Sequence, residues 1–496
     1  MEVDAGVSKI LRRNESEIPH EVSARDFPPN FIFGVATSAY QVEGAASEGG
    51  RGDSIWDVFS HTKGKILDGS NGDVAVDQYH RYQEDVELIA KLGFDAYRFS
   101  ISWPRIFPDG FGKVNLEGVA YYNKLIDALL EKGIQPFVTL YHWDLPQKLH
   151  ETTEGWLKKD IVCYFASYAE TCFSVFGDRV KYWITLNEPL QTAVNGYCTG
   201  VFAPGRCSDR KWSSYGDSST EPYLVAHNQL LAHAKAVDVY RKKFKDTQGG
   251  VVGMSVDCEW SEPLTDDLID KAAAQRRLDF HLGWYLDPIY FGRYPESMIK
   301  KLEHRLPKFT DDEIALLRNS IDFVGLNHYT TRYITSSMSS EENTFYYDQE
   351  MDRIAEWKGV TIGDRAASEW LYVVPWGIGE AVNYITKRYG KPPIYITENG
   401  MDEEDTGTSS LQEVLNDSER IAYFKGYLAS VAQSIWNGCD VRGYFAWSLL
   451  DNFEWAQGYT KRFGIVYVDY KNGLSRHPKS SAHWFADFLK DRKSAV

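Results

Sequence analysis

A chain of 496 residues, 43% hydrophobic and 14% aromatic, carries ample apolar material for a large core and is too apolar to stay disordered. Its formal charge of −16 comes from 70 acidic against 54 basic residues; no Lys/Arg block is long enough to track a phosphate backbone, which argues against nucleic acid as a partner. No apolar run approaches the roughly 20 residues of a membrane span, so no membrane is expected. The first 25 residues mix charges and lack the apolar stretch of about 7–15 residues that a secretory signal needs. They read as a polar N-terminal extension (1–25) to a single unit covering 26–496, in a cytoplasmic protein. Cys163, Cys172, Cys198, Cys207, Cys258 and Cys439 are scattered without CxxC spacing, which argues against a zinc site and against a disulfide framework. No metal and no cofactor is expected. Asn14 and Asn416 each begin a glycosylation triplet, a match that arises readily by chance.

Eight short apolar, β-branched or aromatic runs alternate with longer stretches of helical period. The first predicted strand is 31–40 (FIFGVATSAY), followed after a long loop by a helix over 79–92. The second, 95–102, holds Arg98 inside its apolar run, where a charge needs a partner to offset its desolvation; an inward carboxylate is the natural one. A helix over 118–132 leads to the third strand, 135–143, which closes on His142. After a helix over 160–176, the fourth, 180–188, ends in Asn187-Glu188. A helix over 222–244 precedes the fifth, 250–258; a helix over 311–318 precedes the sixth, 322–330, with Asn327 and Tyr329 at its end. A helix over 377–388 precedes the seventh, 392–400, ending in Glu398-Asn399; one over 417–436 precedes the eighth, 441–449, where Trp447 begins an aromatic and acidic run.

Eight strands alternating with helices point to α/β architecture with parallel strands, and closure into one (β/α)8 TIM barrel with elaborated loops at the C-terminal face explains a long chain without a linker. A doubly wound open sheet would bring a nucleotide-binding turn, and no GxGxxG or GxxxxGK[ST] follows the first strand. In such barrels chemistry sits at the C-terminal ends of strands, which is where these polar residues fall. Two glutamates there, on the facing strands four and seven, are what glycosidic cleavage needs: one protonated to assist the leaving oxygen, one ionised to attack or to activate water. Taken singly, each residue has a plainer reading. Either glutamate could lie on an exposed loop, His142 and Trp447 could be core, and Asn187 and Asn399 could cap or turn the chain.

The motifs FIFGVATSAYQVEG, YRFSISWPRI, TLYHWDLP, TLNEP, GLNHYT, YITENG and WSLLDNFEW, spaced from residue 31 to 455, closely resemble those of glycoside hydrolase family 1, particularly its plant β-glucosidases. The resemblance implies a retaining β-glucosidase acting on a small-molecule β-glucoside, with Glu188 as acid/base and Glu398 as nucleophile. It implies that Gln41, His142, Asn187, Glu454, Trp447 and Trp455 hold the sugar, that Arg98 and Tyr329 contact the nucleophile, and that Asn327 sits beside them. Trp370 matches an aglycone-stacking position, with Val201, Phe202 and Met254 as further candidates on that side. A non-proline cis peptide is expected at Trp447-Ser448. Thioglucosidase relatives carry Gln at the acid/base position, where this chain has Glu188; relatives acting on 6-phosphosugars replace the gripping glutamate, whereas Glu454 would repel a phosphate. Plant secretory relatives bridge two cysteines after the fourth strand, but Cys207 lacks the downstream partner; Cys198 is the one alternative, and a free thiol is expected. A transglucosidase using an acceptor alcohol carries the same motifs. A non-catalytic sugar-binding relative would be expected to have lost a carboxylate, and both are present. Neither the aglycone nor the oligomeric state is legible.

Overall fold

The computed structural model describes residues 5–14, 21–338, 342 and 344–493. Residues 15–20 of the predicted extension, and with them the rest of the Asn14 triplet, lie outside the described residues. Eight parallel strands close a barrel: β1 (Ile32–Ala36), β2 (Ala96–Ser100), β3 (Gln135–Tyr141), β4 (Tyr182–Asn187), β5 (Val251–Asp257), β6 (Phe323–Asn327), β7 (Ile394–Asn399) and β8 (Val441–Trp447). Each pairs with its neighbour in sequence, and β8 returns to β1 in the register Ile32↔Gly443 to Ala36↔Trp447. All eight lie inside the predicted runs, and the seven predicted helices form with ends shifted by at most two residues, as Leu116–Glu131 and Glu221–Lys243 illustrate.

Aromatic side chains fill the end of the barrel where the strands begin. Phe137 stacks on Tyr182 at 4.1 Å between centroids, and Phe445, Tyr395 and Phe323 complete the cluster. Above that apolar floor the lining turns polar, through Ser255, Thr397 and Asn327, so the barrel is a packed core at one end and a chemical site at the other.

Two strands depart from simple pairing at the places that matter. The register of β7 shifts between Ile396 and Glu398 against β6, and between Ile396 and Asn399 against β8; that of β4 shifts between Ile184 and Asn187 against β5. An irregularity of this kind re-aims side chains that strict alternation would send to the opposite face. Glu398 thereby faces inward, while Asn399 turns out to donate to the His328 carbonyl and to Tyr423.

Beyond the barrel, a three-stranded sheet of Trp260–Pro263, Thr331–Ser336 and Met351–Ile354 and the helix Leu268–Leu278 build up one wall over the strand ends. The helix Ala5–Asn14 docks behind that sheet. Ile10 is fully buried with Leu264, Tyr333, Ile362 and Val374, Lys9 and Arg13 pair with Glu262, and Arg13 lies over the Trp376 ring at 4.9 Å. Charge mixing across the helix thus matches carboxylates on the sheet.

Candidate active site

At the C-terminal ends of the strands lies a cleft of about 370 Å³, lined among others by His142, Glu188, Asn327, Tyr329, Trp370, Glu398, Trp447, Glu454 and Trp455. That volume suits a small organic ligand. Residues from five of the seven motifs line it, and Arg98 and Gln41 of the other two stand directly behind it, which removes the plainer reading of each glutamate as a loop residue: Glu188 and Glu398 are both buried.

Glu398 is gripped at both oxygens. Arg98 Nη1 donates to Oε1 at 2.5 Å, and the Tyr329 hydroxyl donates to Oε2 at 2.7 Å. Arg98 is itself fully buried and fixed from behind, with Nη2 on Asn187 Oδ1 at 2.6 Å. The inward carboxylate that Arg98 requires is therefore Glu398.

Glu188 is held differently. Its side chain accepts one hydrogen bond, from Asn327 Nδ2 at 2.7 Å, and Asn327 also donates to Asn187 Oδ1. Its backbone takes a left-handed conformation, φ 42°, at the turn from β4 into the helix Pro189–Tyr197, a strain of the kind that collects at functional sites. Burial lifts the carboxyls of both glutamates above the ordinary range. Glu188 is lifted the further, because the charges of Glu398 and Asp257 repel its ionised form. For Glu398 the guanidinium of Arg98 and the donors Tyr329 and Asn327 pull back against burial. Two carboxyls in one cleft are thus pushed apart in acidity.

Around them sits a polar and aromatic collar. Asn187 donates to His142 Nε2 at 3.1 Å, leaving His142 Nδ1 buried without a partner; burial and the Arg98 charge keep the ring neutral. Trp447 and Trp455 each lie nearly parallel to His142, 5.9 Å between centroids. Trp447-Ser448 is a cis peptide. Gln41 and Asn187 stand just behind the cleft surface: Gln41 Nε2 donates to Asn452 Oδ1 and the Phe453 carbonyl, both at 2.9 Å, and so fixes the loop that presents Glu454. On the outer side Trp370 is 43% exposed and Phe202 joins the lining. Val201 and Met254 do not. Met254 is one residue from inward-facing Ser255, so strand alternation turns it to the helix layer, fully buried. All six cysteines are free thiols. Among the described residues no His, Cys, Asp and Glu group could hold a metal, and no helix is long and apolar enough to cross a membrane.

Glu454 corrects one expectation. Its carboxyl is pushed up to about 8, by burial first and then by the charges of Asp402 and Glu398, and its Oε2 is buried without a partner. Burial thus favours its neutral form, which both donates and accepts, so Glu454 is not a fixed negative charge facing a ligand. The linkage has a definite sign. A folded-state value of about 8 above the ordinary 4.5 means that protonation stabilises the fold fully below the ordinary value, and that this is lost as pH rises through about 8. Glu454→Gln should therefore raise the thermal midpoint more at pH 8.5 than at pH 5, by about 2 °C or more. Equal shifts at the two pH values would contradict it.

Several lining residues escape the sequence reading. Asp257 accepts from Gln191 at 2.8 Å and pairs with His281 at 2.7 Å. Glu259, Arg277 and Arg353 line the same side. Asp257 and Glu259 bracket the end of β5 and were open to the strand-end argument; His281 lies in a single π-helical turn, Asp279–Gly283, which leaves no periodic signal.

Comparison with known proteins agrees with this geometry. The profile of glycosyl hydrolase family 1 matches residues 23–494. The chain is 65% identical over 472 residues to beta-glucosidase 4 of Oryza sativa subsp. japonica (95% of this chain, 96% of the relative). It is 62% identical over 477 residues to beta-glucosidase 42 of Arabidopsis thaliana, with the same coverage of 95% and 96%. Among solved structures, a mutant rice beta-glucosidase in a covalent complex with Glc superposes with a TM-score of 0.94 at 53% identity, over 95% of this chain and 100% of that one. A beta-glucosidase from the fungus Humicola insolens in complex with glucose gives 0.92 at 45%, over 96% and 99%.

Proposed function

The chain belongs to glycosyl hydrolase family 1 and is a β-glucosidase, and from that premise we propose that it hydrolyses small-molecule β-glucosides by double displacement, with retention. Glu398 attacks the anomeric carbon while Glu188 gives its proton to the glycosidic oxygen, so the aglycone departs as a neutral alcohol and a glucosyl ester of Glu398 forms. Glu188, now ionised, takes a proton from water as that water attacks the ester carbon; glucose leaves with its β configuration and both carboxyls return to their starting states.

The observation that carries this reading is the unequal support of the two glutamates. Arg98 and Tyr329 aim and hold Glu398 as an anion, whereas Glu188 has one neutral amide donor and an acidity lowered by burial and by neighbouring charge. His142 and Glu454 supply directional partners for sugar hydroxyls, Gln41 fixes the loop that presents Glu454, and the indoles of Trp447 and Trp455 supply a face for the sugar's C–H groups. The covalent Glc complex of the rice relative supports an ester intermediate in this fold. Proton NMR during hydrolysis tests the proposal: β-glucose should appear first, with α-glucose following only at the rate of mutarotation. Early α-glucose would overturn it.

We propose also that residues 26–496 act as one catalytic unit to which 1–25 is an addition, and that the enzyme works in the cytoplasm. Six free thiols support that location, and a fluorescent fusion retained in the vacuole or apoplast would refute it.

A further inference from the structure

One wall of the cleft carries charge that the reaction does not use. Glu259, just past the end of β5, accepts two hydrogen bonds from Arg353, at 2.8 and 2.5 Å. Both its oxygens are thus taken. Against the upward push of burial, Arg353, Arg332 and Arg277 together hold its carboxyl down to about 2. One carboxylate therefore answers to three guanidiniums, on a protein whose formal charge is −16.

Arg277 receives least from this arrangement. It is buried, 4% exposed, yet lines the cleft. Its Nη2 is 3.9 Å from Glu259, its Nη1 donates to Gln349 Oε1 at 3.2 Å, and its Nε is buried with no partner. Asp257 makes up the deficit only in part: its charge favours the guanidinium from a distance, but its Oδ2 is engaged by His281 and Gln191 rather than by Arg277. Nor can His281 change the balance: burial and the Arg277 charge keep it neutral. A buried guanidinium that lacks a full counter-charge and presents a donor at a cleft is poised for an anion, because its own desolvation was met when the chain folded and no reorganisation remains.

Building on the glucosidase reading above, we infer that this wall is the leaving-group subsite for an aglycone bearing a carboxylate, and that Arg277 is the residue that receives it. Trp370, exposed and stacked on Phe463 with rings 21° apart, gives the same leaving group an aromatic surface. The substrate class is then an aryl β-glucoside with an acidic side arm. Glu259 and Arg353 act as positioning residues, holding one guanidinium away from the carboxylate that Arg277 awaits.

The test uses matched pairs of substrates. The β-glucosides of 3-(4-hydroxyphenyl)propanoate, its meta isomer and the shorter phenylacetate are each compared with their N-methyl amides. The saturated spacer insulates the phenol, so leaving-group acidity is nearly equal within a pair and only the distal charge differs. For at least one pair the wild-type enzyme should favour the acid by about tenfold or more in kcat/KM, mainly through KM, and added salt should erode the preference. In Arg277→Gln the acid-to-amide ratio should fall to about one, whereas Arg277→Lys should retain part of it. A ratio within one variant is independent of how far the substitution alters absolute rates. If Arg277→Gln does not fold, the Lys variant and the salt dependence decide. Equal turnover of acids and amides by the wild type, or a preference that survives Arg277→Gln, overturns the inference. Failure of the wild type to hydrolyse 4-nitrophenyl β-glucoside would instead defeat the glucosidase reading itself.

Discussion

Glu398→Gly is expected to lower turnover of β-glucosides by about 10⁴-fold or more, including those with leaving groups that need no proton. The substitution removes the attacking atom, and among the described residues no other carboxylate accepts from both Arg98 and Tyr329. It also leaves Arg98 without its ion partner; a buried guanidinium in that condition costs about 3–5 kcal/mol, so the variant should melt earlier than the wild type. Both defects share a remedy. Azide entering the vacated space meets Arg98 and Tyr329 as Glu398 did, and it can attack an activated glucoside from the same face. The product should be the α-glucosyl azide, and azide should raise the melting temperature of this variant more than that of the wild type. An α-glucosyl fluoride, which mimics the ester, should be accepted as a donor for an alcohol. Formation of the β-azide would mean that Glu398 is not the nucleophile.

The barrel was legible because its strands are buried on both faces and so appear as continuous apolar runs between amphipathic helices. Arg98 illustrates how far such reasoning extends to a site: a charge inside an apolar strand demands a carboxylate, and Glu398 is the one found at 2.5 Å. Other parts of the site left no such trace. The register shifts in β4 and β7 that turn Glu188 and Glu398 inward depend on pairing with neighbouring strands, which local sequence does not encode. Met254 falls outside the site for a simpler reason: alternation from inward-facing Ser255 puts it on the wall of β5 away from the cleft. The helix Leu268–Leu278, LIDKAAAQRRL, has its large apolar residues Leu268 and Ile269 exposed at its start and so shows no clear apolar stripe, yet it delivers Arg277. Glu454 shows a further limit. Its sequence context says carboxylate, and only three-dimensional burial beside Asp402 and Glu398 makes it a neutral acid at pH 7.

Glu188→Ala should fail in another way, and the contrast assigns the two roles. Without Glu188 the leaving oxygen receives no proton, so glucosides of ordinary alcohols should slow by about 10²–10⁴-fold. Attack by Glu398 is intact, because Arg98 and Tyr329 hold it independently of Glu188. A 2,4-dinitrophenyl glucoside, whose leaving group needs no proton, should therefore still form the ester and release a burst of phenolate. Hydrolysis of the ester then stalls for want of a base, and the glucosyl-enzyme should accumulate to the point of detection by mass spectrometry. Azide needs no base. It should restore turnover and give the β-glucosyl azide, the opposite anomer to that from Glu398→Gly. The pH profile adds an independent readout. In the wild type the alkaline limb is the loss of the Glu188 proton, displaced upward by burial and by the charges of Glu398 and Asp257, while the acidic limb is protonation of Glu398. With Glu188 gone, the alkaline limb should vanish for the activated substrate and the acidic limb should remain. Its base-side neighbours should also respond: Asp257→Asn, which removes one of the repelling charges, should move the wild-type alkaline limb to lower pH. Were the azide products of the two variants exchanged, the acid/base and the nucleophile would be exchanged with them; were the alkaline limb to persist in Glu188→Ala, some other group would be the acid.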